Sequence, residues 1–219
     1  MKSVLISIQP KWVEKICHEI GKDENGKPIY EKRIEVRKSV PKEVPFKVLI
    51  YATRPKKFYK CGAVSTSDEL LWLANGKVEM GDGFKFWADG DEYQCLNGRI
   101  IGEFVCDKVE KYSTSWLDGE DRLNETACLD DADIMDYMNG YTDRIFYGWH
   151  ISDLKIYDKP KELSEFRKPF TLKKLDIRKF IIKNGINNIA PDFKSRYDFC
   201  DKITRPPQSY MFVEEVEIR

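Results

Sequence analysis

Long apolar runs are missing from this sequence, and none approaches the roughly 18 residues that a membrane-spanning helix needs. Closely paired cysteines are missing as well. Cys17, Cys61, Cys95, Cys106, Cys128 and Cys200 stand singly, and neither of the 2 histidines lies at zinc-ligand spacing from one of them. They read as reduced, mostly buried thiols, and no metal site or cofactor is expected. No GxGxxG or GxxxxGK[ST] stretch is present, which leaves a phosphate-cradling loop unsupported. There is no Ser-His-Asp order and no nucleophile elbow, and neither repeats nor low-complexity tracts occur. Met1-Lys2-Ser3 followed by Val4-Leu5-Ile6 has no signal-peptide h-region or small-residue cleavage site, so a cytoplasmic location away from membranes is expected.

What is there is an ordinary globular composition in 219 residues, 42% hydrophobic and 34% charged. Net charge is zero, with 37 basic and 37 acidic side chains. The balance conceals a pattern. Residues 1–60 hold 15 Lys and Arg against 7 Asp and Glu, and residues 155–183 hold 10 against 4. Between them, Asp118, Glu120, Asp121, Glu125, Asp130, Asp131, Asp133 and Asp136 make an acidic middle. Basic ends that share a face would attract a polyanion; taken separately, each run is a solvated surface.

Residues 3–8 (SVLISI) form a short apolar strand that Gln9-Pro10 ends, and Pro10 suits the first turn of a helix. Val13, Ile16, Cys17 and Ile20 then recur at helical spacing, with Gly21 placed as a C-cap. Lys22–Tyr30 is polar, and its Asn25-Gly26 marks a hairpin tip or mobile loop. Arg33-Ile34-Glu35-Val36-Arg37 alternates, so Ile34 and Val36 face one side of a strand and Arg33, Glu35 and Arg37 the other. Residues 46–53 (FKVLIYAT) and 99–107 (RIIGEFVCD) read as strands. Further on, short helices are expected over Asp68–Leu73, Leu129–Met138 and Pro160–Phe166. One or two strands are expected over Arg144–Tyr157, a helix rather than a strand over Leu172–Ile182, irregular chain over Asn184–Pro207, and a last strand over Ser209–Val213. With no convincing linker, a single elaborated domain over 1–219 is expected.

Glu35 and Arg37 on one strand face can line one cleft. A carboxylate accepts from an exocyclic amine or a ring N–H, and a guanidinium offers a planar donor fork to a carbonyl or phosphate. Trp12, Tyr51 or Trp149 would supply a ring on which a base stacks. The same alternation equally describes an exposed cross-strand ion pair. His150, beside Trp149, fits a packed structural residue better than a catalyst.

Ser7-Ile8-Gln9-Pro10-Lys11-Trp12, Lys32-x-x-Glu35-x-Arg37 and the Tyr51-Ala52-Thr53 strand together resemble the ASCH family of PUA-like proteins. Members typically open with a strand ending in S-I-x-P, then a helix, a G-x-K-x-x-E-x-R stretch and a strand bearing an aromatic residue. Gly21 and Lys32 take the places of that Gly and Lys, separated here by a polar insertion. Residues 98–104 (GRIIGEF) match the next barrel strand. Residues 147–151 (YGWHI) and 206–210 (PPQSY) resemble longer ASCH-like proteins, often encoded by phages and prophages. The likeness is good over 3–55 and 98–107 and looser over 145–165 and 205–215. An insertion at about 56–97 and the acidic stretch at about 111–143 lie outside it.

The resemblance implies an α+β fold, a PUA-like β-barrel with flanking helices and insertions. It implies a module that binds a nucleotide, RNA or a modified nucleobase, with ligand contacts from Ser7, Lys11, Trp12, Glu35, Arg37, Tyr51 and Trp149. Some small members resemble amidohydrolases that act on acetylated cytidine with a Lys, a Thr nucleophile and a Glu; others are linked to ribonuclease activity. This chain keeps Lys32 but has Glu35 where that Thr would stand, and a carboxylate cannot replace the hydroxyl in acyl transfer. Binding is therefore the first expectation. A hydrolase using Lys32 and Glu35 is the second, and a phage factor that binds and inhibits a host protein, its acidic stretch mimicking nucleic-acid charge, is the third.

Overall fold

The computed structural model describes residues 2–57, 59–62, 64–84, 93–116, 121–140, 142–169 and 203–215. Strand β1 (Ser3–Ile8) turns Val4, Ile6 and Ile8 to one face and Leu5 to the other, and both faces are buried. Pro10 then opens helix α1 (Pro10–Cys17), which buries Val13 and Ile16. The polar insertion is a hairpin, β2 (Glu19–Lys22) with β3 (Pro28–Tyr30). Next come β4 (Ile34–Arg37), β5 (Phe46–Ala52), β6 (Tyr59–Cys61), β7 (Val64–Thr66), β8 (Leu71–Ala74), β9 (Lys77–Met80), β10 (Tyr93–Cys95), β11 (Ile100–Cys106) and β12 (Val109–Ser113). Helices α2 (Asp121–Ala127) and α3 (Asp131–Tyr137) follow, then β13 (Ile145–His150), β14 (Ser152–Lys161), β15 (Phe166–Arg167) and β16 (Tyr210–Glu215).

Among the described residues the largest sheet runs β14-β11-β5-β1-β16-β15. It is mixed: β1 pairs parallel with β5, while its other pairs are antiparallel. The sheet β12-β13-β4 lies across the same core. Trp149 of β13 packs there with Val4, Ile6, Phe46, Val48, Ile50 and Phe104 from the larger sheet. The arrangement is the expected α+β one, a curled sheet closed over its interior with few helices. A smaller sheet, β10-β8-β9, leans on α1, where Glu14 Oε1 accepts from the Met80 amide at 2.7 Å. On the far side of β4, Ile34 and Val36 pack with Leu123, Ala127, Ile134, Met138 and Phe146. Helices α2 and α3 therefore sit against β4, one face of which they cover with apolar side chains.

Several local expectations are corrected. Helix α1 stops at Cys17, because His18 is extended (ψ 108) and Ile20, the fourth member of the apolar series, is exposed. Gly21 is accordingly a strand residue of β2. Asp68–Leu73 is not a helix: its second half enters β8, which returns through Asn75 (φ 51) and Gly76 (φ 74), the left-handed pair that a two-residue hairpin turn needs. Pro160 belongs to the edge strand β14, where its missing N–H is tolerated, and only Leu163–Glu165 forms a helical turn. The expected helix over 172–182 and most of the irregular chain over 184–207 lie outside the described residues. No described helix is long and apolar enough to cross a membrane.

Candidate functional site

A cleft of about 450 Å³ opens where β1, α1, β4 and α3 meet. Its position follows from the local folds. Strand β1 ends at Ile8, and Pro10 starts α1 at once, so Lys11 and Trp12 stand on the first helical turn above the strand end. The hairpin after α1 returns the chain, and the Lys32 amide bonds to the Lys15 carbonyl at 3.0 Å. Lys32 thus enters beneath Trp12, followed by Glu35 and Arg37 from β4. Helix α3 adds Asp133, Asp136 and Tyr137, and the segment before β16 adds Pro207 and Gln208.

The floor is a chain of charges out of water. Lys32, Glu35 and Arg37 are 2%, 6% and 5% exposed. Glu35 lies between two cations: its Oε1 is 2.7 Å from Arg37 Nη2, and its Oε2 is 3.6 Å from Lys32 Nζ. Lys32 also donates to the Ala127 carbonyl at 2.5 Å. Arg37 donates to the Ser7 carbonyl at 2.9 Å and more distantly to that of Ser209 at 3.5 Å. Its Nε is buried with no hydrogen-bond partner. Loss of hydration pulls the Lys32 ammonium below the ordinary lysine range, with Glu35 pulling the other way. Burial raises the Tyr137 phenol above its usual value.

Aromatic rings flank this floor. Lys11 Nζ stands 4.2 Å from the centre of the Trp12 ring and Lys32 Nζ 5.4 Å from it. Lys11 is exposed, so its cation–π contact is exchangeable and a stacking ligand can take its place. Tyr137 lines the opposite wall, with Lys38 Nζ 4.8 Å from its ring centre.

Of the residues singled out in the sequence, Ser7, Lys11, Trp12, Lys32, Glu35 and Arg37 line this cleft together. The hydroxyl of Ser7 is committed, donating to the Pro207 carbonyl at 2.8 Å. Two others are not there. Tyr51 points away, because the pleat of β5 turns Ile50 and Ala52 into the main core and Tyr51 to the opposite face, against Leu5, Leu49, Phe166 and Val213. Trp149, though directly opposite Glu35 in the β13–β4 register, is fully buried in the core edge-on to Phe46 and Tyr210. Nor are Glu35 and Arg37 an exposed surface pair. His150 faces Glu110, Nε2 to Oε2 3.3 Å, outside the cleft lining.

Asp133, Asp136 and Tyr137 were not foreseen as cleft residues. The signal was present: they lie at i, i+3 and i+4 on α3, with Ile134 and Met138 on its apolar side. As a bare acidic run they read only as surface charge.

No protein-family model matches the sequence, and no curated protein matches it. Among solved structures, the chain is similar to the ASCH protein of Zymomonas mobilis at 16% identity and a TM-score of 0.46, over 97% of this chain and 88% of that one. It is similar to a variant of the same protein at 15% identity and a TM-score of 0.47, over 98% and 91%. Those structures carry the name of the family that the N-terminal motifs resemble.

Proposed function

We propose that the chain is a binding module for a nucleobase, free or within a nucleotide or RNA, and that the cleft at the end of β1 is where the base enters. The observation that carries this is the buried Lys32–Glu35–Arg37 floor beneath Trp12. Arg37, in the lining, offers a guanidinium donor to a ligand carbonyl or ring nitrogen. About 450 Å³ suits one small ligand, since such pockets run to roughly 300–1,000 Å³. Trp12 supplies the stacking face.

The hydrolase reading has one observation in its favour. Burial lowers the proton affinity of Lys32, so its amine is more available as a base or nucleophile than a surface lysine's. Glu35 Oε1, however, is held by Arg37, and binding remains the primary reading.

One titration addresses both. Calorimetry with nucleosides and nucleotides should give a saturable site that Trp12→Ala weakens by about 5- to 150-fold, a stacked base being worth roughly 1–3 kcal/mol. Arg37→Lys should weaken it too, since an ammonium cannot reproduce the fork. Nucleotide binding indifferent to both changes would overturn the assignment. Incubation with acetylated cytidine and with RNA reads out turnover, and product formed equally well by Lys32→Met would remove Lys32 from any catalytic role.

A further inference from the structure

The charges of the cleft fall into two groups. The buried ones are already engaged: Glu35 with Lys32 and Arg37, Lys32 with the Ala127 carbonyl, and Arg37 with the Ser7 carbonyl. The carboxylates on α3 are different. Among the described residues, the Asp133 and Asp136 side chains enter no hydrogen bond or ion pair, although both line the cleft. They are one helical turn apart beside Tyr137, so they form one acidic wall facing the ligand space. Opposed to them, the only exposed cation in the described lining is Lys11, already placed over Trp12.

From this we infer that Asp133 and Asp136 determine what the cleft takes: an uncharged nucleoside or free base bearing an exocyclic amine, with phosphorylated forms turned away. The inference rests on the nucleobase reading and sharpens it. A phosphate entering this cleft would meet two unpaired carboxylates at its wall, and these offset Lys11 and the single positive charge that Lys32 and Arg37 keep after Glu35, so the lining offers it no net positive charge. An exocyclic amine, by contrast, needs an acceptor with lone pairs to spare, and α3 has them. Glu35, the acceptor that the sequence suggests for this task, is occupied by its two cations. Arg37, in the same lining, complements the picture as a donor to an acceptor on the ligand. Cytosine, adenine and guanine offer both an amine and an acceptor; uracil and thymine offer no amine.

The test is calorimetry on the full chain with cytidine, adenosine, uridine and cytidine 5′-monophosphate. Cytidine or adenosine should bind at least about tenfold more tightly than uridine and than the monophosphate. In Asp133→Asn with Asp136→Asn, which keeps an acceptor oxygen but removes the charge, the penalty on the monophosphate should shrink by about tenfold or more. In Asp133→Ala with Asp136→Ala the preference for cytidine over uridine should vanish. Thermal melts of both variants establish that the fold is kept, and the nucleoside-to-monophosphate ratio within one variant is independent of any loss of stability. A monophosphate that binds the wild-type chain as tightly as its nucleoside overturns this inference and leaves the nucleobase site standing. Failure of every base, nucleoside and nucleotide to bind overturns both.

Discussion

Glu35 sits between two cations, so removing it is not equivalent to removing either of them. Glu35→Ala leaves Lys32 and Arg37 facing each other in a site from which water is excluded, and breaking a buried pair in this way costs about 3–5 kcal/mol. Lys32→Met takes away a buried ammonium and its hydrogen bond to the Ala127 carbonyl but leaves the 2.7 Å Glu35–Arg37 contact in place, so no charge is left unpaired and the cost is smaller. Urea denaturation should therefore order the variants with Glu35→Ala well below Lys32→Met, and equal stabilities would show that the three charges are not coupled. Trp149 teaches a related lesson at this scale. Its ring was a candidate stacking surface, yet the β13–β4 register sets it beside Glu35 on the core-facing side, where Phe46 and Tyr210 pack against it. Which of several aromatics faces a ligand depends on the pleat and on the partner strand, neither of which a single segment of sequence states.

At the scale of elements, the strand β12 carries a charge device of its own. Glu110 and Tyr112 share a strand face, with Lys108 just before the strand; Glu110 accepts from Lys108 Nζ and Tyr112 Oη, each at 2.5 Å, and faces His150 Nε2 from β13. The Lys108 and Tyr112 hydrogen bonds, with His150 behind them, bring the Glu110 carboxyl down to about 2 from 4.5. A carboxyl depressed in the folded state stabilises it above the unfolded value and loses that contribution as pH falls through the folded one. Melting temperature should drop as pH goes from 4.5 towards 2, and Glu110→Gln should flatten that part of the profile. An identical slope in the variant would assign the acid sensitivity elsewhere. Segments such as β1, α1, β4, β5, β11 and β16 were legible because alternation, an apolar run or a proline marked each one locally. So was the gathering of Lys11, Trp12, Lys32, Glu35 and Arg37, since a strand, one helical turn and a returning hairpin fix it within a short span. The wall on α3 was not legible. It reaches β4 through Leu123, Ala127, Ile134 and Phe146, contacts between segments some hundred residues apart, and only those contacts turn Asp133 and Asp136 towards the cleft.

For the molecule as a whole, the strand that closes the sheet is the last one. Strand β16 pairs antiparallel with β1, places Val213 in the core beside Leu5, and sets Tyr210 against Trp149. Just before it, Pro207 receives the Ser7 hydroxyl and Ser209 meets the Ser39 hydroxyl at 3.0 Å. A chain truncated before Arg205 would leave β1 with an unpaired edge and open the core at Trp149. Such a chain should melt without a cooperative transition and expose its tryptophans to quenching, whereas an unchanged melt would show that β16 is an accessory. The guanidinium of Arg37 extends the same point to the cleft, for it reaches the carbonyl of Ser7 on one side and towards that of Ser209 on the other. Residues separated by almost the entire chain thus converge on one side chain. During synthesis the first strand leaves the ribosome long before its final neighbour has been made. The cleft is therefore completed only once residues 205–215 have been made, and a product terminated before them carries the motif residues without the site.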